Sequence, residues 1–298
     1  MKVLATGLTG FVGKNLHKFI NDNKLGEVIP INFRKELPDI LPVGDALIHL
    51  AGKAHDLENA SNPDEYFQVN YEKTRELFDL FLASEIKDFI YFSSVKAVAD
   101  TVSGPLIEEV IPAPKTPYGQ SKLKAEEYLL SKKLPSDKRL FILRPCMIHG
   151  PGNKGNLNLL YKVVKKGIPY PLGAFENKRS FLSIDNLLFV VGRLLVDPNI
   201  KGGIYNVADD RALSTNHLIK VIAKASHCKG KIWKLPKGLV KSIAKMGDVL
   251  HLPLNSERLK KLTESYVVSN SEIKQVLEVE EFPVSAEEGL TITIRSFH

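Results

Sequence analysis

Leu4-Ala5-Thr6-Gly7-Leu8-Thr9-Gly10-Phe11-Val12-Gly13-Lys14 reads as the end of a strand, a glycine turn and the start of a helix. Apolar Val3 to Ala5 lead into the glycines, and Val12, Leu16, Phe19 and Ile20 follow at helical spacing. Gly7 can take the positive φ of a tight turn, Gly10 lets backbone N–H groups approach a pyrophosphate, and Gly13 lets the helix lie close to the sheet. A pyrophosphate bound there meets a helix N-terminus, where free N–H groups and the dipole favour an anion. Gly7, Gly10, Phe11, Val12 and Gly13 are therefore the expected dinucleotide-binding turn, although an ordinary strand-to-helix turn uses glycines in the same way.

Downstream, a second strand, Val28 to Phe33, ends in Asn32-Phe33-Arg34-Lys35. A carboxylate at this strand end binds the adenosine 2′-hydroxyl of NAD, whereas arginine accommodates the 2′-phosphate of NADP. With Asn32 in the acid's place and Arg34 and Lys35 behind it, NADP(H) is favoured over NAD(H). If Arg34 and Lys35 are only solvated loop charges, that preference has no basis. Few residues, Glu36 to Asp45, separate this strand from the next, Ala46 to Gly52. A crossover helix plus a further strand needs more chain than that, so the usual outermost strand is expected to be missing or vestigial.

The pattern then keeps alternating. Asp64 to Ser84 carries Tyr66, Val69, Leu77, Leu80 and Phe81 at helical spacing; Phe89 to Ser94 and Leu140 to Leu143 read as buried strands; a helix starts near Tyr118. Alternating strands and helices predict a doubly wound parallel α/β sheet. From His149 onward Gly150-Pro151-Gly152, Pro169, Pro171 and Gly173 break the alternation. The expected division is a dinucleotide-binding domain over 1–149, with about 181–200 returning to it, and a smaller mixed α/β substrate-binding domain over 150–180 and 201–298.

Composition limits the function classes. Hydrophobic residues make up 44% and charged residues 25% of 298, as in a soluble globular protein. The longest apolar run, Leu187 to Val196, is interrupted by Arg193 and falls short of the ~20 residues a bilayer requires. No signal peptide is expected, because the first strand already belongs to the fold. Cys146 and Cys228 form neither metal-type spacing nor a disulfide framework, which suits a reducing cytoplasm. The net charge of +7 suits anionic small molecules, since the lysines are scattered and no aromatic platform accompanies them; nucleic acid is not expected. One segment, Ile232 to Leu254, sets Leu239, Val240, Ile243, Met246 and Leu250 at helical spacing beside Lys237, Lys241 and Lys245. It is expected to be a packed helix with its apolar stripe buried, not a membrane-surface helix.

Tyr-x-x-x-Lys places a phenol and an ammonium one helical turn apart, where the positive charge favours phenolate and proton exchange with a substrate hydroxyl. The chain holds the pattern three times, at Tyr118/Lys122, Tyr128/Lys132 and Tyr161/Lys165. Position selects Tyr118 and Lys122, which open a helix directly after a loop leaving a sheet strand. The end of the preceding strand supplies Ser93 and Ser94; one of them should donate a hydrogen bond to the reacting oxygen, and Ser94 is the candidate.

Taken together, Thr6-Gly-x-x-Gly-x-x-Gly13, His49-Leu-Ala-Gly52, Asn70-x-x-x-Thr74, Ser93-Ser94, Tyr118-Gly-x-Ser-Lys122 and Arg144-Pro145 resemble the extended short-chain dehydrogenase/reductases, built on a Rossmann fold. Arg179 to Asn186 and Tyr205-Asn-Val207 are similar to elements of that family's substrate half. Ser93-Ser94-Val95-Lys96 with Gly150 to Asn156 most resembles nucleotide-sugar 4-epimerases and 4-keto-hexosamine reductases of polysaccharide synthesis.

The resemblance implies that Tyr118 is the acid or base, Ser94 orients the C4 oxygen, and Lys122 also holds the nicotinamide ribose. Leu50, Ala51, Gly52 and Pro145 join the implied cofactor contacts. Asn156 and Arg179 are the implied contacts to the nucleotide diphosphate, with Arg258 a further candidate; Lys53 and His55 follow the Gly52 turn, where they can face the sugar or cofactor, and His55 reads equally as a plain loop histidine. Val95 and Lys96 stand where the family's dehydratases carry Asp-Glu, so dehydration is not expected. The implied reaction is reduction of a UDP-linked 4-keto-6-deoxy-HexNAc, with UDP-hexose 4-epimerisation as the alternative and a silent dinucleotide sensor as a third. A homodimer is compatible with all of these. Two departures stand out: the short link after Arg34 removes the family's usual adenine contact, and Ala97-Val98-Ala99 replaces Val-Tyr-Gly.

Overall fold

Six strands form one parallel sheet, and its inner strands are apolar because the sheet is covered there on both faces. In the computed structural model, which describes residues 1–33, 36–53, 62–153, 155–250 and 255–297, the first half runs β1 (Lys2–Thr6), α1 (Phe11–Asp22), β2 (Glu27–Ile31) and β3 (Ala46–His49). It continues through α2 (Pro63–Phe67), a π-helical turn (Gln68–Glu72), α3 (Lys73–Ala83), β4 (Asp88–Phe92), α4 (Pro117–Ser131) and β5 (Arg139–Pro145). The second half holds β6 (Met147–His149), α5 (Asn156–Lys165), β7 (Phe181–Ser183), α6 (Ile184–Val196) and β8 (Gly203–Val207). It ends with α7 (Thr215–Ala225), α8 (Lys237–Leu250), α9 (Ser256–Thr263), α10 (Ser271–Val276) and α11 (Ala286–Arg295).

Strand order is β2-β1-β3-β4-β5-β8, with every pair parallel. β2 is the edge, and among the described residues between Glu36 and Asp45 there is neither helix nor strand. Among the described residues the outermost strand is therefore absent, in keeping with the short link. Side chains alternate across the sheet: Val3, Ala5, Ile48 and Ile90 face Leu16 and Ile20 of α1 and Leu187 and Val191 of α6. Leu4, Leu47, Phe89, Tyr91 and Ile142 face Leu77, Phe78 and Phe81 of α3 and Leu129 of α4.

After the short β6–β7 pair, α6 returns against α1, packing so closely that a Cβ on Gly192 would stand 3.0 Å from the Phe19 ring. The return does not end near residue 200. β8 pairs with β5 from Phe141↔Gly203 to Pro145↔Val207, so the sheet also takes residues placed beyond the expected boundary. The rest forms a lobe with two apolar centres, one among α5, α7 and α11 around Tyr161, Ile222 and Leu290, the other between α8 and α9.

The expected helix is present as α8, but of its stripe only Val240 is buried. Val240, Ala244 and Gly247 are its buried residues, while Leu239, Ile243, Met246 and Leu250 are 52, 41, 58 and 59% exposed. The small centre beneath α8, built from Leu172 and Leu259, takes the side one residue further round, turned by about 100° from the expected stripe.

Candidate active site

β1 ends on buried Thr6, and the glycine turn follows. Gly7 has φ +73°, and a Cβ there would meet the Ala51 nitrogen at 2.7 Å. A Cβ at Gly13 would meet the Gly7 carbonyl oxygen at 2.4 Å, so a side chain at either position would break the close backbone packing that shapes the turn. α1 begins at Gly10 with no side-chain cap and no acid in its first turn, leaving its N-terminal N–H groups open to an anion. This geometry fits a dinucleotide pyrophosphate.

Beneath the turn, the fully buried His49 ring is held from both sides, Nδ1 at 2.7 Å from Thr6 Oγ1 and Nε2 at 2.8 Å from Thr74 Oγ1. Burial first, and the Lys122 charge second, keep its pKa well below the ordinary imidazole value. Ala51 N–H donates to Thr6 Oγ1 at 3.0 Å, which ties the Leu50-Ala51-Gly52 turn to β1.

Ser93 and Ser94 leave β4 in opposite senses. The Ser93 hydroxyl donates to buried Glu126, which also accepts from Arg144, Nη2 to Oε2 at 2.5 Å. Ser94 instead hydrogen-bonds the Tyr118 phenol and accepts from the Lys96 N–H at 3.2 Å. Tyr118 lies in the first turn of α4, whose start is fixed by Thr116 as N-cap and by Pro117. One turn on, Lys122 is buried; its Nζ donates to the Phe92 carbonyl at 2.8 Å and lies 4.9 Å from the Tyr91 ring centroid.

The electrostatics differ from the simple tyrosine-lysine expectation. Burial raises the Tyr118 phenol above its ordinary value, with the Ser94 hydrogen bond opposing, and burial lowers Lys122 to about 8. Desolvation penalises both charged forms and outweighs the attraction expected between them. The other two pairs serve packing: Tyr128 donates to Asp79 at 2.7 Å, and Tyr161 donates to the Phe297 carbonyl at 2.8 Å while accepting from Lys165.

Asn70, in the π turn, accepts from the Lys53 N–H at 2.7 Å and donates to the Lys53 carbonyl and to Ser121. It thus fixes the Gly52 turn against α4, where a Cβ at Gly52 would stand 3.2 Å from Lys122 Nζ. Asn70 and Glu126 join the site only once the chain is folded. Glu126 has a sequence signal, standing one helical turn after Lys122; Asn70 has only its place in the Asn-x-x-x-Thr motif.

Pro145 closes β5 beside Val207. Arg34, Lys35 and His55 lie outside the described residues, as does the Asn156 side chain at the start of α5. The Arg179 guanidinium donates to the Lys261 and Glu264 carbonyls at the end of α9, and Arg258 is exposed in the first turn of α9. Tyr266, just beyond α9, donates to the Ala99 and Val95 carbonyls at 2.7 and 3.2 Å and carries the Lys96 ammonium 4.2 Å from its ring centroid. This joins the second lobe to the Ser94 loop.

Comparison with known proteins gives the same picture. The chain is 32% identical over 257 residues to UDP-glucose 4-epimerase of Vibrio cholerae, covering 78% of each. It is 29% identical over 254 residues to GDP-6-deoxy-D-mannose reductase of Pseudomonas aeruginosa, covering 79% of this chain and 83% of the relative. The structure of RMD from Pseudomonas aeruginosa complexed with NADPH superposes with a TM-score of 0.73 at 23% identity, over 99% of this chain and 98% of the other. Residues 3–208 match the family model described as NAD dependent epimerase/dehydratase, and the chain belongs to that family, in its nucleotide-sugar branch.

Proposed function

We propose that this chain reduces a UDP-linked 4-keto-6-deoxy-HexNAc at C4 with NADPH. The observation that carries the reading is the Ser94–Tyr118 hydroxyl pair standing one helical turn from buried Lys122. Gly7, Gly10, Phe11, Val12 and Gly13 would hold the pyrophosphate, Leu50 to Gly52 and Pro145 would line the cofactor, and bound NADPH supplies the hydride. Tyr118, a phenol protonated at neutral pH whose ionisation burial makes harder still, gives its proton to the C4 oxygen as that carbon becomes a secondary alcohol. Ser94 donates to the same oxygen while negative charge develops on it. Lys122 offsets the phenolate left behind until solvent restores the proton. Arg179 and Asn156 are the proposed diphosphate contacts, and Arg179 must first release the α9 carbonyls to serve.

The resemblance to UDP-glucose 4-epimerase favours a second reading. There the same three residues would work on a UDP-hexose with retained NAD, and hydride would return to the opposite face of C4. The experiment offers the 4-keto sugar with NADPH, and separately a UDP-HexNAc without added cofactor. Stoichiometric NADPH oxidation supports reduction; inversion at C4 supports epimerisation. Turnover unchanged in Tyr118→Phe would overturn both.

A further inference from the structure

The exposed face of α8 is the largest departure from the expected packing, and the site described above makes no use of it. Leu239, Ile243, Met246 and Leu250 recur at i, i+4, i+7 and i+11, and Val249 at 76% exposure widens the stripe. Trp233, the chain's single tryptophan and 56% exposed, precedes the helix. Burying such side chains in an apolar medium is favourable. Among the described residues nothing covers them.

The charge around the stripe says what can. Residues 229–261 contain nine lysines and arginines against two acids, a formal +7 that equals the net charge of the entire chain. Lys237, Lys241 and Lys245 are exposed along α8 itself. A second copy docking face to face would bring two such charges together, which opposes it. A nucleic acid would pair with the lysines but offers the aliphatic stripe nothing. An anionic bilayer surface satisfies both when seated on the Val249 side of α8, which at 100° per residue lies between the two rows: the aliphatic row enters the boundary between headgroups and acyl chains on one flank, and the lysine stems reach the headgroup charge on the other.

We infer that α8 is a docking surface for anionic membranes, holding the protein on the bilayer without crossing it. No helix among the described residues is long and apolar enough to cross. The docked lobe is the one whose α9 and Tyr266 are tied to Arg179 and to the Ser94 loop, so a sugar substrate or product would be handled beside the membrane.

The test is cosedimentation of the full chain with phosphatidylcholine vesicles, with and without phosphatidylglycerol, at physiological salt. Wild type should pellet with the phosphatidylglycerol vesicles alone, and its Trp233 emission should shift to the blue. Lys237→Gln/Lys241→Gln/Lys245→Gln should weaken partition about 100-fold, from about fivefold per lysine near the surface. Ile243→Ser/Met246→Ser should weaken it at least about tenfold. Both variants change exposed residues away from the site, so their circular dichroism and solution turnover should match wild type. Wild type remaining in the supernatant, equal binding with and without the anionic lipid, or variants pelleting like wild type would each overturn the inference. So would a wild-type dimer that the serine variant dissolves without any vesicle binding. None of these readouts depends on which C4 reaction is catalysed.

Discussion

Ser93 and Ser94 are neighbours of one kind, and the fold gives them opposite partners. Ser94→Ala should lower kcat by about 100-fold, through loss of a donor to the C4 oxygen, with little change in stability. Ser93→Ala should do the reverse, costing about 1–3 kcal/mol because Glu126 loses a buried partner, while steady-state kinetics stay near wild type. Measuring both by denaturation and initial rates separates the roles; equal loss of rate in the two would refute the assignment. Lys122 supplies a second contrast. Its pKa is lowered to about 8 by burial, so its charge is unfavourable in the folded state at pH 7, and the penalty fades as pH rises from about 8 towards the ordinary lysine value. Lys122→Met should therefore be inactive yet more stable than wild type by about 2–3 kcal/mol at pH 7, with the gain shrinking above pH 8. A variant less stable at pH 7 would show that the bond to the Phe92 carbonyl outweighs desolvation.

The elements that carry the site were legible where a single period or motif defines them. Val3 to Ala5, the glycine turn and α1 follow from apolar spacing; Tyr118 and Lys122 follow from a motif placed where a strand hands over to a helix. The π turn did not, because the pattern from Tyr66 to Phe81 reads as one continuous helix and the extra residue per turn leaves no compositional mark. Nor did the clamp of Thr6, His49 and Thr74, since its three members lie on β1, β3 and α3 and meet only after the sheet forms. That clamp predicts an acid response. His49 is buried neutral, so stability is present above the ordinary imidazole value of 6.5 and is lost as pH falls below it, by up to about 1.4 kcal/mol per pH unit. His49→Gln, whose amide can still bond both threonines, should flatten the decline between pH 6.5 and 5 in urea titrations. An unchanged slope would mean that another group governs acid unfolding.

For the whole molecule, the parallel sheet and the lost outer strand were readable because chain length alone forbids another crossover between Arg34 and Ala46. The orientation of α8 was not, since its periodicity fits a stripe centred on Ile243 as well as one centred on Ala244, and only the narrow contact with Leu172 and Leu259 selects between them. The lost strand also bears on the cofactor. β2 is the sheet edge, so no neighbouring strand covers the outer side of the position where its C-terminal end meets the adenosine ribose. Asn32 follows that end without a carboxylate, so a 2′-phosphate there meets no like charge, and the proposed role of Arg34 is to pair with it bidentately. NADPH at about 100 times its Kd should stabilise the protein by about 2.7 kcal/mol, and NADH at the same concentration by distinctly less. Arg34→Ala should weaken NADPH by tenfold or more, at about 1.5–3 kcal/mol per charge-assisted bond, and leave NADH as it was. Calorimetric titration of both cofactors into both proteins reads this directly, and equal affinities that ignore the substitution would assign Arg34 to solvent and leave NAD as the working cofactor.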